Sequence, residues 1–203
     1  MFSLIFSMFT FSLSMSISPG PVNITILSSS MNYGLKQTFA FISGATIGFT
    51  ALLAAVCFGL YQVISLYPIL LNIITVLGTG LLVWMGWNIA RAQGESIQTD
   101  QLELPKAPSF MQGALLQWLN PKAWIAAVSG TALFSASHNA LYLFLFILIY
   151  FVVCYLSLLI WGYAGQKLAV FLNQGSRMRV FNVVMGVLLM LIALQMSWSH
   201  FYA

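Results

Sequence analysis

Two apolar stretches of this chain are each interrupted by proline near the middle, at Ser18-Pro19-Gly20-Pro21 and at Asn120-Pro121-Lys122. Pro21 and Pro121 lie 100 residues apart in a chain of 203 residues. They therefore occupy equivalent points of its two halves. Proline removes a helical hydrogen bond, and in lipid each freed backbone group needs a partner in protein or a water-filled cavity. A matched pair of interrupted spans therefore points to a transport site.

The residue types place this chain in a bilayer. It is 61% hydrophobic and only 5% charged, whereas an ordinary soluble domain carries about 25% charged residues. So few charges cannot cover a soluble surface, and we predict an integral membrane protein. The net charge of +4 does not indicate a nucleic-acid partner, because the basic residues are scattered at the ends of apolar runs.

Six runs are long enough to cross a bilayer, which takes about 20 mostly apolar residues. They cover 2–27, 38–60, 67–90, 110–134, 139–164 and 180–200. No run alternates as barrel strands do, so helices are the spanning elements. We predict an all-α membrane protein of six transmembrane helices, with the first and fourth interrupted.

The basic residues orient this bundle. Six of the seven flank odd-numbered loops and none flanks an even-numbered loop; the six are Lys36, Arg91, Lys106, Lys167, Arg177 and Arg179. Cytoplasmic loops carry an excess of Lys and Arg. We therefore expect a multi-pass protein with cytoplasmic odd-numbered loops and both termini outside.

One long polar segment divides the chain. Residues 92–109 hold all three acidic residues, and we interpret them as a cytoplasmic linker between a first three-helix repeat, 1–91, and a second, 110–203. Three is an odd number of spans, so the second repeat enters the membrane in the opposite sense, as an inverted-topology repeat does. The same offset matches Gly86 to Gly186, an identity no better than chance for this composition.

The first interruption predicts an anion site. A half-helix that restarts near Val22 or Asn23 would point its free N–H groups and positive dipole end at the break. Such an end attracts a carboxylate. The alternative is a simple proline kink packed against its neighbours.

The second interruption repeats the pattern from the opposite side. Asn120 can cap a new half-helix, and Pro121 suits its first turn. Lys122 lies about 12 residues from either end of its run, where a lysine costs about 2.5–3.5 kcal/mol and usually faces a partner or cavity. The alternatives are that Lys122 snorkels to the cytoplasmic interface, or that the span starts later than predicted.

No acidic residue lies in any predicted span. A site for a cation would keep one there, so we expect a compact zwitterion with a neutral side chain. The candidate substrate-binding residues are Ser18, Pro19, Gly20, Pro21, Asn23, Asn120, Pro121 and Lys122. Gly44 and Gly48 form a GxxxG pair that favours close helix packing. No catalytic residue, metal site or cofactor is predicted.

Three other functions share this composition. A passive channel and a non-transporting structural subunit both stay open. An intramembrane serine protease at Ser129-Gly130 is disfavoured, because that chemistry needs a base held against the serine and no histidine lies at that depth in the predicted spans.

The two interruptions together resemble a known family. SPGPVN at 18–23, Gly34, the Gly44 and Gly48 pair and QWLNPKAW at 117–124 are similar to motifs of the LysE/RhtB family of bacterial amino-acid exporters. The similarity extends over essentially the whole chain. It implies export of amino acids or their derivatives across the bacterial cytoplasmic membrane, driven by the proton gradient.

Two departures narrow the resemblance. Many members carry Asn directly after the second proline, where this chain has Val22, and an acidic residue after the second-span glycine, where it has Phe49. Loss of that acid disfavours basic substrates. The pattern looks closest to the branch of cysteine and O-acetylserine exporters, and we expect a secondary transporter that exports small neutral amino acids by alternating access. The sequence does not determine the oligomeric state, and a homo-oligomer is one possibility.

Overall fold

The computed structural model describes residues 2–60, 66, 68–92, 107–134, 140–172 and 177–202. Eight helices make up nearly all of these ranges, and no strand is present in them. They are α1 (Phe2–Ile17), α2 (Pro21–Tyr33), α3 (Leu35–Cys57), α4 (Pro68–Arg91), α5 (Phe110–Trp118), α6 (Pro121–Phe134), α7 (Ala140–Leu172) and α8 (Arg177–Tyr202). The all-α prediction is confirmed for this part of the chain.

The helix ends follow local chemistry. Gly34 separates α2 from α3 with a φ of +80°, which glycine adopts at little cost. Its N–H donates to Ser30 O over 3.0 Å, which closes the end of α2. Because this single residue is the whole break, Lys36 lies in the first turn of α3 rather than in an extended loop.

Two predicted connections differ from the observed ones. Helix α7 has 33 residues and continues past the predicted end at 164, so Lys167 is helical. Most of the predicted linker, with Lys106, falls outside the described residues. Where the described chain resumes after the linker, Ser109 and Gln112 form a reciprocal capping box that begins α5.

Four described helices, α3, α4, α7 and α8, are long and apolar enough to cross a membrane. The pair α1 and α2 makes a fifth if it is counted as one span bent by 59°. The pair α5 and α6 has 9 and 14 residues, each too short to cross alone. Length and composition of the described helices therefore account for at most five of the six predicted spans.

The exposed surface of the long helices is largely apolar. On α7, an exposed stripe at helical spacing consists of Leu148, Val152, Leu156 and Ile160, whereas a soluble helix would place polar residues there. Helix α2 is the opposite case, since nearly every residue from Pro21 to Met31 is buried. The polar, buried α2 lies at the centre of the bundle and contacts α3, α4, α7 and α8.

Close helix contacts depend on glycine. A Cβ at Gly44 would overlap the Phe110 carbonyl group, and one at Gly48 would lie 2.6 Å from Ala114 Cα. These two glycines let α3 pack against the backbone of α5. Gly86 of α4 and Gly186 of α8 meet in the same way, because a Cβ on either one would strike the other's carbonyl oxygen.

Candidate functional site

The first break lies between α1 and α2. Gly20 has an extended backbone, with a φ of −165°, and Pro21 occupies the first turn of α2, where its missing N–H and fixed φ are tolerated. Among the described residues, no side chain caps this end of the helix. The N–H groups of Val22 and Asn23 therefore point toward the break without a capping acceptor.

The second break lies between α5 and α6 and is capped by its own chain. Asn120 Oδ1 accepts a hydrogen bond from the Lys122 backbone N–H over 3.1 Å, and Asn120 O accepts one from Ala123 N over 2.9 Å. This is the cap that the sequence predicts. The two half-helices therefore differ, since the start of α6 is satisfied internally and the start of α2 is not.

Lys122 joins the two breaks. Its ammonium group donates to Ser18 O over 2.7 Å, to Ser18 Oγ over 2.8 Å and to Pro19 O over 3.3 Å. An ammonium has three N–H donors, so each has an acceptor in the first break. These contacts hold the ammonium group of Lys122 against the first break. The side chain also covers Gly20, where a Cβ would lie 3.0 Å from Lys122 Nζ.

The other freed carbonyls near the breaks have donors as well. Asn23 Nδ2 donates to Ser16 O over 2.9 Å, and Trp161 Nε1 donates to Ile17 O over 3.1 Å. At the second break, Trp124 Nε1 donates to Trp118 O over 2.7 Å. At the first break one donor comes from the adjoining helix α2 and one from the distant helix α7, whereas at the second break the donor comes from the adjoining helix α6. Backbone carbonyls held away from water need such partners.

A cavity of about 40 Å³ lies between the two breaks. Of the residues predicted from sequence, four line it: Gly20, Asn23, Asn120 and Lys122. Ser18 and Pro19 contact it through the Lys122 ammonium. Pro21 and Pro121 do not line it. A cavity of this volume has room for only a few water molecules.

Several cavity residues were missed by the sequence reasoning. They are Ser16, Gln117, Tyr150 and Cys154, contributed by α1, α5 and α7. The Ser16 hydroxyl lies beside Tyr150 and Cys154, yet it makes no hydrogen bond of standard geometry within the described residues. The i, i+4 spacing of Tyr150 and Cys154 places both on one face of α7. Because every face of α7 is apolar, the sequence did not indicate that this face lines a cavity.

The two departures from the family pattern also lie at this cavity. Val22 and Phe49 both line it, and the Phe49 ring packs on Tyr150 with 4.5 Å between ring centroids. No acidic residue is among the described residues that form the wall. The cavity therefore presents one ammonium group, free helix N–H groups and neutral side chains.

A second, larger cleft of about 580 Å³ lies between α4, α6 and α8. Its lining begins at Pro121, the first residue of α6, and includes Leu71 near the start of α4 and His200 near the end of α8. Asn120 and Lys122 line the small cavity, whereas Pro121 between them lines the cleft. The second break is thus the partition between the two spaces.

The cleft also contains the serine of the protease alternative. Ser129 and His200 both line it, but His200 Nε2 is hydrogen-bonded to Asn72 Oδ1 over 2.9 Å. No hydrogen bond joins His200 to Ser129 in the described part of the chain. The arrangement therefore lacks the nucleophile and base contact that covalent hydrolysis needs.

Comparison with known proteins agrees with the resemblance drawn from the motifs. A cysteine/O-acetylserine efflux protein of Escherichia coli O1:K1 / APEC is 27% identical over 135 residues, which cover 65% of this chain and 66% of that protein. One from Salmonella typhimurium is 24% identical over 132 residues, 64% of this chain and 65% of that protein. The alignments thus span just under two thirds of these relatives.

No solved structure matches the chain significantly. The family comparison reaches further than the individual relatives, because the model of the LysE type translocator matches residues 13–199. That range includes both breaks, the residues that line the small cavity, and every residue that lines the cleft except His200. The chain belongs to the LysE type translocator family.

Proposed function

We propose that this protein exports small neutral amino acids or their derivatives across the bacterial cytoplasmic membrane by alternating access. The observation that carries this proposal is the cavity between the two breaks. It brings the uncapped start of α2, the Lys122 ammonium and the Ser16 hydroxyl together at one point of the bundle. Free helix N–H groups and an ammonium attract a carboxylate.

The proposed architecture is six spans in two inverted repeats, 1–91 and 110–203, joined by the linker 92–109. Counting α5 and α6 as one broken span gives the sixth. The contacts between the halves come in equivalent pairs. Helix α7 of the second half contacts α1 and α2 of the first, and α3 of the first half contacts α5 and α6 of the second. Helices α4 and α8 pair with each other, and Gly86 meets Gly186, its match at the 100-residue offset. Such self-pairing is expected at a pseudo-two-fold axis.

The neutral-substrate proposal is supported by the cavity wall. A cationic side chain would need an acidic partner in the membrane, and the position that holds an acid in many relatives is Phe49 here. The relatives named above are cysteine/O-acetylserine efflux proteins. We infer that this chain takes compact zwitterions of the same kind.

Binding requires the site to open. A cavity of 40 Å³ is too small for an amino acid, and all three Lys122 donors already have acceptors. The substrate carboxylate would replace the carbonyl groups of Ser18 and Pro19 on Lys122. Since these carbonyls directly follow the end of α1, substrate binding would loosen the connection between the breaks.

Transport by purified protein in liposomes tests the proposal. Labelled L-cysteine, under reducing conditions, O-acetyl-L-serine and L-lysine are compared with and without an imposed pH gradient. We expect the gradient to raise accumulation of the first two several-fold over protein-free liposomes, with no effect on lysine.

The alternatives give different results in the same assay. A passive channel would equilibrate its solute without responding to the pH gradient. A structural subunit would show no flux and would tolerate Pro21→Ala and Pro121→Ala. Gradient-driven transport of lysine alone would overturn the neutral-substrate proposal.

A further inference from the structure

Two asparagines, the partly buried Asn32 and the fully buried Asn182, join the central helix to the α4–α8 pair. Asn32 Nδ2 donates to Asn182 Oδ1 over 2.9 Å, and Asn182 Nδ2 returns a hydrogen bond to Asn32 Oδ1 over 2.8 Å. Asn182 Nδ2 also donates to Ala92 O over 3.0 Å, and Asn182 is completely buried. This reciprocal pair closes the bundle at the end where the linker begins.

A polar row on α2 leads from the first break to this pair. Pro21, Thr25, Ser28 and Asn32 are spaced by four, three and four residues, which places them on one helix face. Asn32 contacts α8, so the row faces α8 and the adjacent α4. Ser28 is completely buried, and its hydroxyl has no hydrogen-bond partner among the described residues. A buried hydroxyl without a hydrogen-bond partner destabilises the state in which it is buried. This is expected of a surface that is exposed to water in another state of the protein.

The equivalent row on α6 already faces open space. The residues 100 positions further on line the 580 Å³ cleft: Pro121, Ile125 and Val128. At one end of the bundle α6 stands apart from α4 and α8 across this cleft, whereas at the linker end α2 contacts both. The structure is therefore open at one end and closed at the other.

We propose that the Thr25–Ser28 face of α2 lines the linker-side half of the route for a small polar zwitterion, and that the Asn32–Asn182 pair is the gate that closes it. This inference rests on the proposed alternating access. In the other state the pair separates, α2 moves away from α4 and α8, and the cleft beside α6 closes. The hydroxyl groups of the row then meet water and the substrate.

Thiol labelling at the two equivalent positions tests the gate without any substrate. In a background with Cys57→Ala and Cys154→Ala, one protein carries Ser28→Cys and another carries Val128→Cys. A membrane-impermeant maleimide is applied to inside-out and right-side-out vesicles. With the gate intact, we expect slow labelling at position 28 and fast labelling at position 128, each from its own side.

Gate variants should reverse this pattern. Asn182→Leu removes three hydrogen bonds, and the double variant Asn32→Leu with Asn182→Leu avoids a lone buried amide. We expect each to speed labelling at position 28 about tenfold and to slow it at position 128. Asn72→Leu, which removes an amide between α4 and α8 at the opposite end, should leave labelling at position 28 unchanged.

Opposite changes at the two positions would support the gate. Unchanged labelling in both gate variants would overturn it, and so would an increase at both positions, which would indicate loosened packing. The result is independent of transport. Reciprocal labelling without amino-acid flux would contradict only the proposed function, whereas gradient-driven flux with unchanged labelling would contradict only the gate.

Discussion

The ammonium nitrogen of Lys122 in α6 lies 2.7 Å from the carbonyl oxygen of Ser18 at the end of α1. The two residues are 104 positions apart in the chain. A cation at the end of a helix is favoured by the helix dipole and by the unpaired carbonyls there. This contact connects the broken spans of the two halves, and it lies at the cavity where we place the substrate carboxylate.

Replacing Lys122 should impair both stability and export. Lys122→Met retains much of the side-chain volume but leaves the part-buried Ser18 O and the exposed Pro19 O without their ammonium donor. An acceptor that loses its partner away from water costs about 1–3 kcal/mol, so Ser18 O should account for most of the loss. We expect a lower melting temperature in detergent and loss of efflux at matched membrane abundance. Lys36→Met, at an exposed lysine, is the control. Wild-type efflux by Lys122→Met would remove the ammonium from the mechanism.

An acid at position 49 should change substrate charge preference. Phe49→Glu places a carboxylate in the cavity wall, which favours a cationic side chain and repels a second carboxylate. We expect weaker transport of O-acetyl-L-serine and new transport of L-lysine, measured in liposomes. Phe49→Leu should retain the neutral preference. Identical substrate preference in Phe49→Glu and Phe49→Leu would show that this position does not control specificity.

A methyl group at Gly20 should disturb Lys122 without straining the backbone. The φ of −165° suits any residue, but the new Cβ would lie 3.0 Å from Lys122 Nζ and 3.1 Å from its Cδ. We therefore expect Gly20→Ala to reduce efflux severalfold with only a small fall in melting temperature. Gly80→Ala, where no atom lies within 4 Å of the new Cβ, should behave as wild type. Equal efflux in both variants would contradict the prediction.

The indole donors should stabilise the broken spans. Trp161→Phe leaves Ile17 O without its donor, and Trp124→Phe does the same to Trp118 O. Each should cost about 1–3 kcal/mol, seen as a melting temperature lower by a few degrees. Trp84→Phe, at a half-exposed ring, should change little. If all three variants melt alike, the indole hydrogen bonds do not hold the breaks.

Bulk at the α4–α8 crossing should separate that helix pair. Gly86→Ala and Gly186→Ala each place a Cβ against the opposite carbonyl oxygen, and overpacking of this kind costs about 1–3 kcal/mol. Because one separation relieves both clashes, the double variant should lose less stability than the sum of the single losses. Thermal unfolding of the three proteins measures this coupling, and strict additivity would argue against a shared contact.

The breaks themselves were predictable from the sequence because their causes are local. Pro21 and Pro121 begin half-helices, Asn120 caps the second one, and Gly34 ends α2. Each of these effects acts over no more than about one helical turn. Matching motifs also pointed to the family, which the comparison across residues 13–199 confirms.

The linker and span ends were predicted less well. The apolar pattern gave no stop signal where α7 continues to Leu172, because a helix can extend beyond the lipid without a change in residue type. The count of six spans requires that α5 and α6 be treated as one broken span, and the lengths of these two helices do not determine whether they form one. It stays part of our proposal.

The sequence by itself determined that the chain is helical, membrane-embedded and broken twice, since proline geometry and apolar composition act without reference to distant residues. Only the tertiary structure decided that Lys122 contacts Ser18, that Phe49, Tyr150 and Cys154 line one cavity, and that Asn32 pairs with Asn182. In a helix with apolar residues on every face, no pattern marks the face that meets a neighbour. Packing against other helices selects that face, and with it the cavity, the cleft and the proposed gate.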